Sequence, residues 1–127
     1  MIVVDTSALM ALLLAEPQAD QVAAILKAEG HVVISAGTLA EALVVAARRG
    51  VAEELTLLID GIGIQVDSLA VAGAHAVAEA YSAWGKGQHP AGLNFGDCFA
   101  YVTAKANSAP LLFVGDDFSK TDVAAAI

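Results

Sequence analysis

Short unbroken apolar runs alternate along the chain with longer stretches whose apolar residues recur at helical spacing. Ile2, Val3 and Val4 form a β-branched run ending at Asp5, the pattern of a strand buried on both faces. A helix follows from about Ala8 to Ala15, with Asp5, Thr6 and Ser7 available to cap it. Pro17 suits the first position of a second helix, in which Val22, Ile25 and Leu26 form a stripe before Gly30 ends it. His31 to Ser35 returns as strand. Thr38 and Glu41 match a capping box, in which each side chain satisfies a backbone amide of the other, and this predicts a helix to Arg49 that Gly50 closes. A helix over 52–60 leads through Gly61 and Gly63 to a strand at Ile64–Val66, after which Asp67 and Ser68 cap an Ala-rich helix reaching Trp84. From Gly85 to Gly96 the aliphatic pattern gives way to Gly, Pro, His and Gln, predicting a surface loop. Asn94 caps a helix reaching about Asn107, Leu111–Val114 is the last strand, and Gly115, Asp116 and Asp117 turn the chain into a short terminal helix.

Strands that alternate with helices, joined by connections long enough for right-handed crossovers, predict an α/β fold with a doubly wound, mostly parallel sheet. The 127 residues suit one domain, 1–127, with no repeat or linker to divide it. Apolar residues make up 57% of the chain, too many for disorder and enough for helices to cover both faces of a sheet. No run reaches the ~20 apolar residues that a membrane span needs, and no basic residue precedes the interrupted apolar start, so the expectation is a cytoplasmic protein without membrane contact. The one cysteine, Cys98, makes neither an internal disulfide nor a thiolate zinc site.

Candidate chemistry lies in the acids. Asp5, Glu41, Asp97 and the pair Asp116/Asp117 each fall where a predicted strand ends or a predicted helix begins. In an open α/β domain those positions share the edge at which the strands' carboxyl ends form a ligand crevice. Carboxylates gathered without basic partners repel one another, and a hard divalent cation is what neutralises them. Mg²⁺, with Mn²⁺ as a substitute, is therefore the expected cofactor, with Asp5, Glu41, Asp97, Asp116 and Asp117 as candidate ligands. Each acid also has a structural explanation: Asp5 as a helix cap, Glu41 in the capping box, Asp97 as a dipole partner in a first turn, Asp116 or Asp117 as turn residues. Of the last two we take Asp117 as the site member, because the ring of Phe118 next to it can anchor the turn. His31, His75 and His89 share no ligand spacing, and only His89 lies in a loop near the expected crevice.

The runs Ile2 to Ser7, Leu93-Asn94-Phe95-Gly96-Asp97-Cys98 and Leu112 to Phe118, with Glu41 between them, resemble those of PIN-domain ribonucleases, most closely the VapC-type toxins of bacterial toxin–antitoxin pairs. The resemblance implies a three-layer α/β/α PIN-like domain. It also implies a Mg²⁺- or Mn²⁺-dependent endoribonuclease, usually a homodimer, that cuts RNA and is restrained by a small cognate antitoxin of the VapB type. Asp5, Glu41 and Asp97 match the family's first three acids. In many relatives a further acid sits slightly earlier in the closing segment, where this chain has Gly115, so Asp116 or Asp117 takes that place.

The formal net charge of −8 runs against a nucleic-acid ligand, since phosphates are normally gripped by surplus Lys and Arg. Bound divalent ions would invert the local potential, and Arg48, Arg49, Lys86, His89, Lys105 and Lys120 are candidates for the rim. Two other functions stay open on the residues alone. One is a phosphatase-like hydrolase with Asp5 as nucleophile, although a second acid and a lysine close behind are missing. The other is a non-catalytic PIN-like binding module whose acids serve folding or a basic partner.

Overall fold

The computed structural model describes all residues, 1–127. Four parallel strands, β1 (Ile2–Val4), β2 (Val32–Ser35), β3 (Gln65–Asp67) and β4 (Leu111–Leu112), lie in the order β3-β2-β1-β4. Register is set by Ile2 opposite Val32, Val33 opposite Gln65 and Val3 opposite Leu111. Each crossover holds two helices: α1 (Thr6–Leu13) and α2 (Ala19–Ala28), then α3 (Ala36–Arg48) and α4 (Ala52–Ile62), then α5 (Val71–Trp84) and α6 (Phe95–Ala106). None of these helices is long and apolar enough to cross a membrane.

The strand pleat divides the core. Ile2, Val4, Val32, Ile34 and Leu112 point to the layer formed by α1 to α4, where Leu9, Val22 and Leu55 meet them; Val3, Val33 and Leu111 point to α5 and α6, against Val77, Ala100 and Ala104. The expected three layers are thus present. The first, second and fourth strands are wholly buried, which accounts for their unbroken apolar sequence, while Gln65 and Val66 of β3 are exposed at the sheet edge. Fully burying one such Val or Leu is worth ~1.5–3 kcal/mol, so the two clusters supply most of the drive to fold.

Four local expectations are corrected. No Thr38–Glu41 capping box forms, because α3 starts earlier: Ser35, at the end of β2, is its cap and accepts from the Gly37 amide at 3.2 Å, which puts Thr38 and Glu41 inside the helix. Asp67 and Ser68 do not cap α5. Asp67 instead pairs with Ser35 in the sheet and accepts from Asn107 Nδ2 at 3.3 Å, and the cap position falls to Ala70 without a side-chain bond. Pro17 lies in the turn before α2, whose first residue is Ala19. Finally, β4 stops at Leu112, and residues after Asp117 form turns rather than a helix. The Leu111 amide donates to Ala124 O at 2.8 Å and Leu111 O accepts from the Ala126 amide at 2.9 Å, so the chain end lies along the outer edge of β4.

Candidate active site

The strand order reverses between β1 and β4: from β1 the chain builds outward through β2 and β3, then returns to the other side of β1. A crevice opens at the carboxyl end of such a switch point. Asp5 lies at this edge, directly after Val4, and Asp116 and Asp117 follow β4 on the other side of the switch point.

Asp5 is buried and caps α1 with one oxygen only. Its Oδ2 accepts from the Ser7 amide at 3.0 Å and from the Ser7 hydroxyl at 2.7 Å, while Oδ1 is buried with no hydrogen-bond partner. The Ser7 hydroxyl also accepts from the Val114 amide at 3.0 Å, tying Asp5 to the segment that follows β4. The cap and a ligand role therefore use different oxygens of the same carboxylate. Burial pushes the Asp5 carboxyl up to about 6 against the lowering effect of the Ser7 bonds, and the charge of Glu41 adds to the rise.

Asp97, also buried, is the third residue of α6 and completes a capping box that does form. Its amide donates to Asn94 Oδ1 at 2.8 Å, and its Oδ2 accepts from the Asn94 amide at 3.0 Å. Its carboxyl is pushed up to about 7, chiefly by burial, against the Asn94 bond, and then by the charges of Asp5, Asp117 and Glu41. The charges of Asp5, Asp117 and Glu41 thus all act on Asp97. Phe118 is buried against Phe113 with ring centroids 5.1 Å apart, which anchors the turn that carries both Asp116 and Asp117.

Glu41 reaches the same place from the second turn of α3. Its Oε1 accepts from the Thr6 hydroxyl at 2.7 Å. Thr6 and Ser7, adjacent in sequence, thus hold two different carboxylates, a division that sequence did not reveal. Neither salt bridge of the chain, Met1 amine to Glu29 and Lys105 to Asp122, touches any of these acids. The histidines lie elsewhere in the bonding pattern: His89 packs edge-on to Trp84 at 4.7 Å and accepts from the Ala91 amide, His31 bonds Gln65, and His75 is exposed on α5.

No three Asp, Glu, His or Cys side chains are spaced to hold one ion among themselves. Mg²⁺ does not require three: it keeps several waters and is commonly bound through one or two carboxylates. The all-oxygen donors, the lack of a basic counter-charge and above all the orphaned Asp5 Oδ1 fit a hydrated hard cation at Asp5 and Asp97.

The family model of the PIN domain matches residues 2–124. The chain belongs to the PIN-domain family. Ribonuclease VapC30 of Mycobacterium tuberculosis is 42% identical to this PIN domain over 125 residues, covering 96% of this chain and 95% of its own. Two solved structures share the fold. One is the sarcin-ricin loop cleaving toxin VapC20 of M. tuberculosis, with a TM-score of 0.79, 17% identity and coverage of 97% and 96%; the other is a toxin–antitoxin complex from Klebsiella pneumoniae, with a TM-score of 0.72, 18% identity and coverage of 96% and 93%. These PIN-fold matches run almost end to end, so the crevice and all five candidate acids lie inside the shared architecture.

Sequence reading missed the close approach of α3 and α6. A Cβ on Gly37 would overlap the Phe99 ring, and one on Gly96 would overlap the Glu41 carboxylate. The available signal was a glycine within each helical pattern, which often marks tight packing. Beside this crossing a groove of about 500 Å³ runs from Glu41 past Phe95 to Arg48, the one basic side chain that shares a wall with a candidate acid. A second apolar cleft, between α5 and α6, is lined by Trp84 and Tyr101 and contains none of the five candidate acids.

Proposed function

We propose that this chain is a metal-dependent endoribonuclease that hydrolyses RNA phosphodiester bonds, and that it is the toxin of a toxin–antitoxin pair restrained by a small cognate antitoxin of the VapB type. The observation that carries the reading is a buried carboxylate oxygen, Asp5 Oδ1, left without a partner among acids that have no cation of the protein to balance them. The VapC ribonuclease name of a relative 42% identical over nearly the whole chain supports the substrate class.

In this reading Asp5 and Asp97 hold Mg²⁺, or Mn²⁺ in its place. The ion would lower the pKa of bound water and offset charge developing on the phosphate oxygens. Ser7 and Asn94 fix one oxygen of each ligand, so that the other presents in a single orientation. Glu41, steadied by Thr6, would orient a water for in-line attack or complete the metal shell. Asp117 adds negative charge at the rim, and Asp116 beside it completes the set of candidates. Exposed Leu43, Val44 and Phe95 on the adjoining faces of α3 and α6 support a second copy of the chain as a partner.

One observation favours a non-catalytic binding module: no three ligands are preassembled. Calorimetry with Mn²⁺ separates the two readings, since a module without a metal site gives no heat that depends on Asp5 and Asp97. The phosphatase-like alternative gains nothing, because no lysine pairs with Asp5. The direct test is cleavage of total cellular RNA, mapped to the nucleotide, with and without EDTA. Wild type should cut and lose activity with EDTA, while Asp5→Asn and Asp97→Asn should fold normally and cut at least ~100-fold more slowly. Wild-type rates in both variants would remove these acids from the mechanism.

A further inference from the structure

We infer that Gly96 is a positioning residue for Glu41, the absence of its side chain being the space that the Glu41 carboxylate occupies; the inference rests on the nuclease reading of the acids. A Cβ built on Gly96 meets three atoms first, and all three belong to the Glu41 side chain, its two carboxylate oxygens and the carbon between them. The other side of that carboxylate is held by Thr6, whose hydroxyl donates to Oε1 at 2.7 Å. Glu41 is therefore gripped between α1 and the backbone of α6, one residue before Asp97.

Nothing in the backbone itself demands glycine here. Gly96 is the second residue of α6 and has no positive φ, unlike Gly50, Gly63 or Gly115. A methyl group at this position collides only with the far end of a flexible side chain, which can swing away, so Gly96→Ala is tolerated by the fold and felt by the carboxylate. Gly37 is the contrasting case in the same helix crossing. There an added Cβ strikes the Phe99 ring, which is packed edge-on to Phe95 with centroids 4.9 Å apart. Gly37 spaces helices; Gly96 spaces a functional group.

The test compares Gly96→Ala with wild type, Glu41→Gln, Glu41→Asp and the double variant Gly96→Ala/Glu41→Asp, all as full chains with Mg²⁺ and one defined RNA substrate. Misplacing a catalytic group by about 1 Å costs on the order of 10²-fold, so Gly96→Ala should lose roughly that in kcat, with KM within about twofold. Its Tm without metal should equal or exceed the wild-type value, because alanine is the better helix former. Asp is one methylene shorter than Glu, so Glu41→Asp should raise the activity of the Gly96→Ala background while lowering that of wild type. A merely structural role for Gly96 would not produce this reversal. In the metal-free protein, the side-chain carboxyl carbon resonance of Glu41 should shift in Gly96→Ala and in Thr6→Val alike. Wild-type kcat in Gly96→Ala beside an impaired Glu41→Gln would overturn the inference and leave the nuclease reading standing, as would an unmoved Glu41 resonance. Wild-type activity in Glu41→Gln, Asp5→Asn and Asp97→Asn would overturn the nuclease reading itself.

Discussion

Asp97 pits the site against the stability of the metal-free protein. Burial and three neighbouring carboxylates raise its carboxyl from the ordinary 3.8 to about 7, and Asp5 rises to about 6 for the same main reason, burial. Between the unfolded and folded values the native state binds more protons than the unfolded chain, so stability falls as pH rises through that interval. The contribution is fully present below the unfolded value near 3.8 and is lost by about 7. Urea unfolding of metal-free protein at pH 5 and pH 8 should therefore give the lower stability at pH 8. Asp97→Asn should flatten that dependence and stabilise the protein by about 2 kcal/mol at pH 8, since each pKa unit corresponds to about 1.4 kcal/mol before relaxation discounts it. Saturating Mn²⁺ should reverse the deficit in wild type, by about 2.7 kcal/mol at 100 times Kd, and leave Asp97→Asn unmoved. Both outcomes together would show that Asp97 does more than cap a helix, since its Asn94 bond would not offset the cost of its buried charge and a cation would.

Two residue pairs with the spacing of a capping box carry acids, and they differ in how well sequence shows their outcome. Asn94 and Asp97 are three residues apart and satisfy each other, so the pattern and its outcome are both local. Thr38 and Glu41 have the same spacing, yet Ser35 begins the helix three residues earlier and Glu41 turns to Thr6, a partner 35 positions away. A short-range motif cannot register that competitor. The terminal segment fails for a related reason: Val123 to Ala126 reads as helix by composition, but its backbone bonds go to Leu111 at the sheet edge. By contrast, the strands around Val3, Val33 and Leu111 were legible because burial on two faces writes an unbroken apolar run. Asn94 caps α6 with its side chain and holds an Asp97 oxygen through its backbone amide, so Asn94→Ala keeps that amide but frees the turn that aims it, and should cost about 1 kcal/mol in thermal or urea unfolding. Its loss of cleavage should exceed what that destabilisation predicts at a temperature where the variant remains folded, and Asn94→Ser, which can still cap, should recover most of both. Equal activity in Asn94→Ala would show that Asp97 needs no such support.

The molecule's charge bears on how the proposed nuclease would take hold of RNA. With 14 acids against six Lys and Arg, and Lys105 already paired with Asp122, few cations remain for phosphates, and Arg48 alone shares a groove wall with a candidate acid. Binding through released counterions has a slope of about −0.7 per phosphate on a single strand, so two contacts would weaken affinity only roughly sevenfold between 50 and 200 mM salt. In the proposed mechanism attraction should come instead from a divalent cation at Asp5 and Asp97, which would invert the local potential where the strand order reverses. Glu41→Gln keeps both proposed ligands while slowing cleavage, which makes it the form in which to measure binding. Fluorescence anisotropy with a labelled single-stranded RNA should show a shallow dependence on monovalent salt at fixed Mg²⁺ and a steep loss when Mg²⁺ is removed. Adding Asp97→Asn should mimic that removal, and Arg48→Ala should lower the salt slope by less than about one. A fall of about a thousandfold across the same salt range, indifferent to Mg²⁺, would instead place the RNA on a basic surface remote from the acids. The metal would then have no part in recognition, and the carboxyl-edge crevice would lose its role as the point where substrate is gripped.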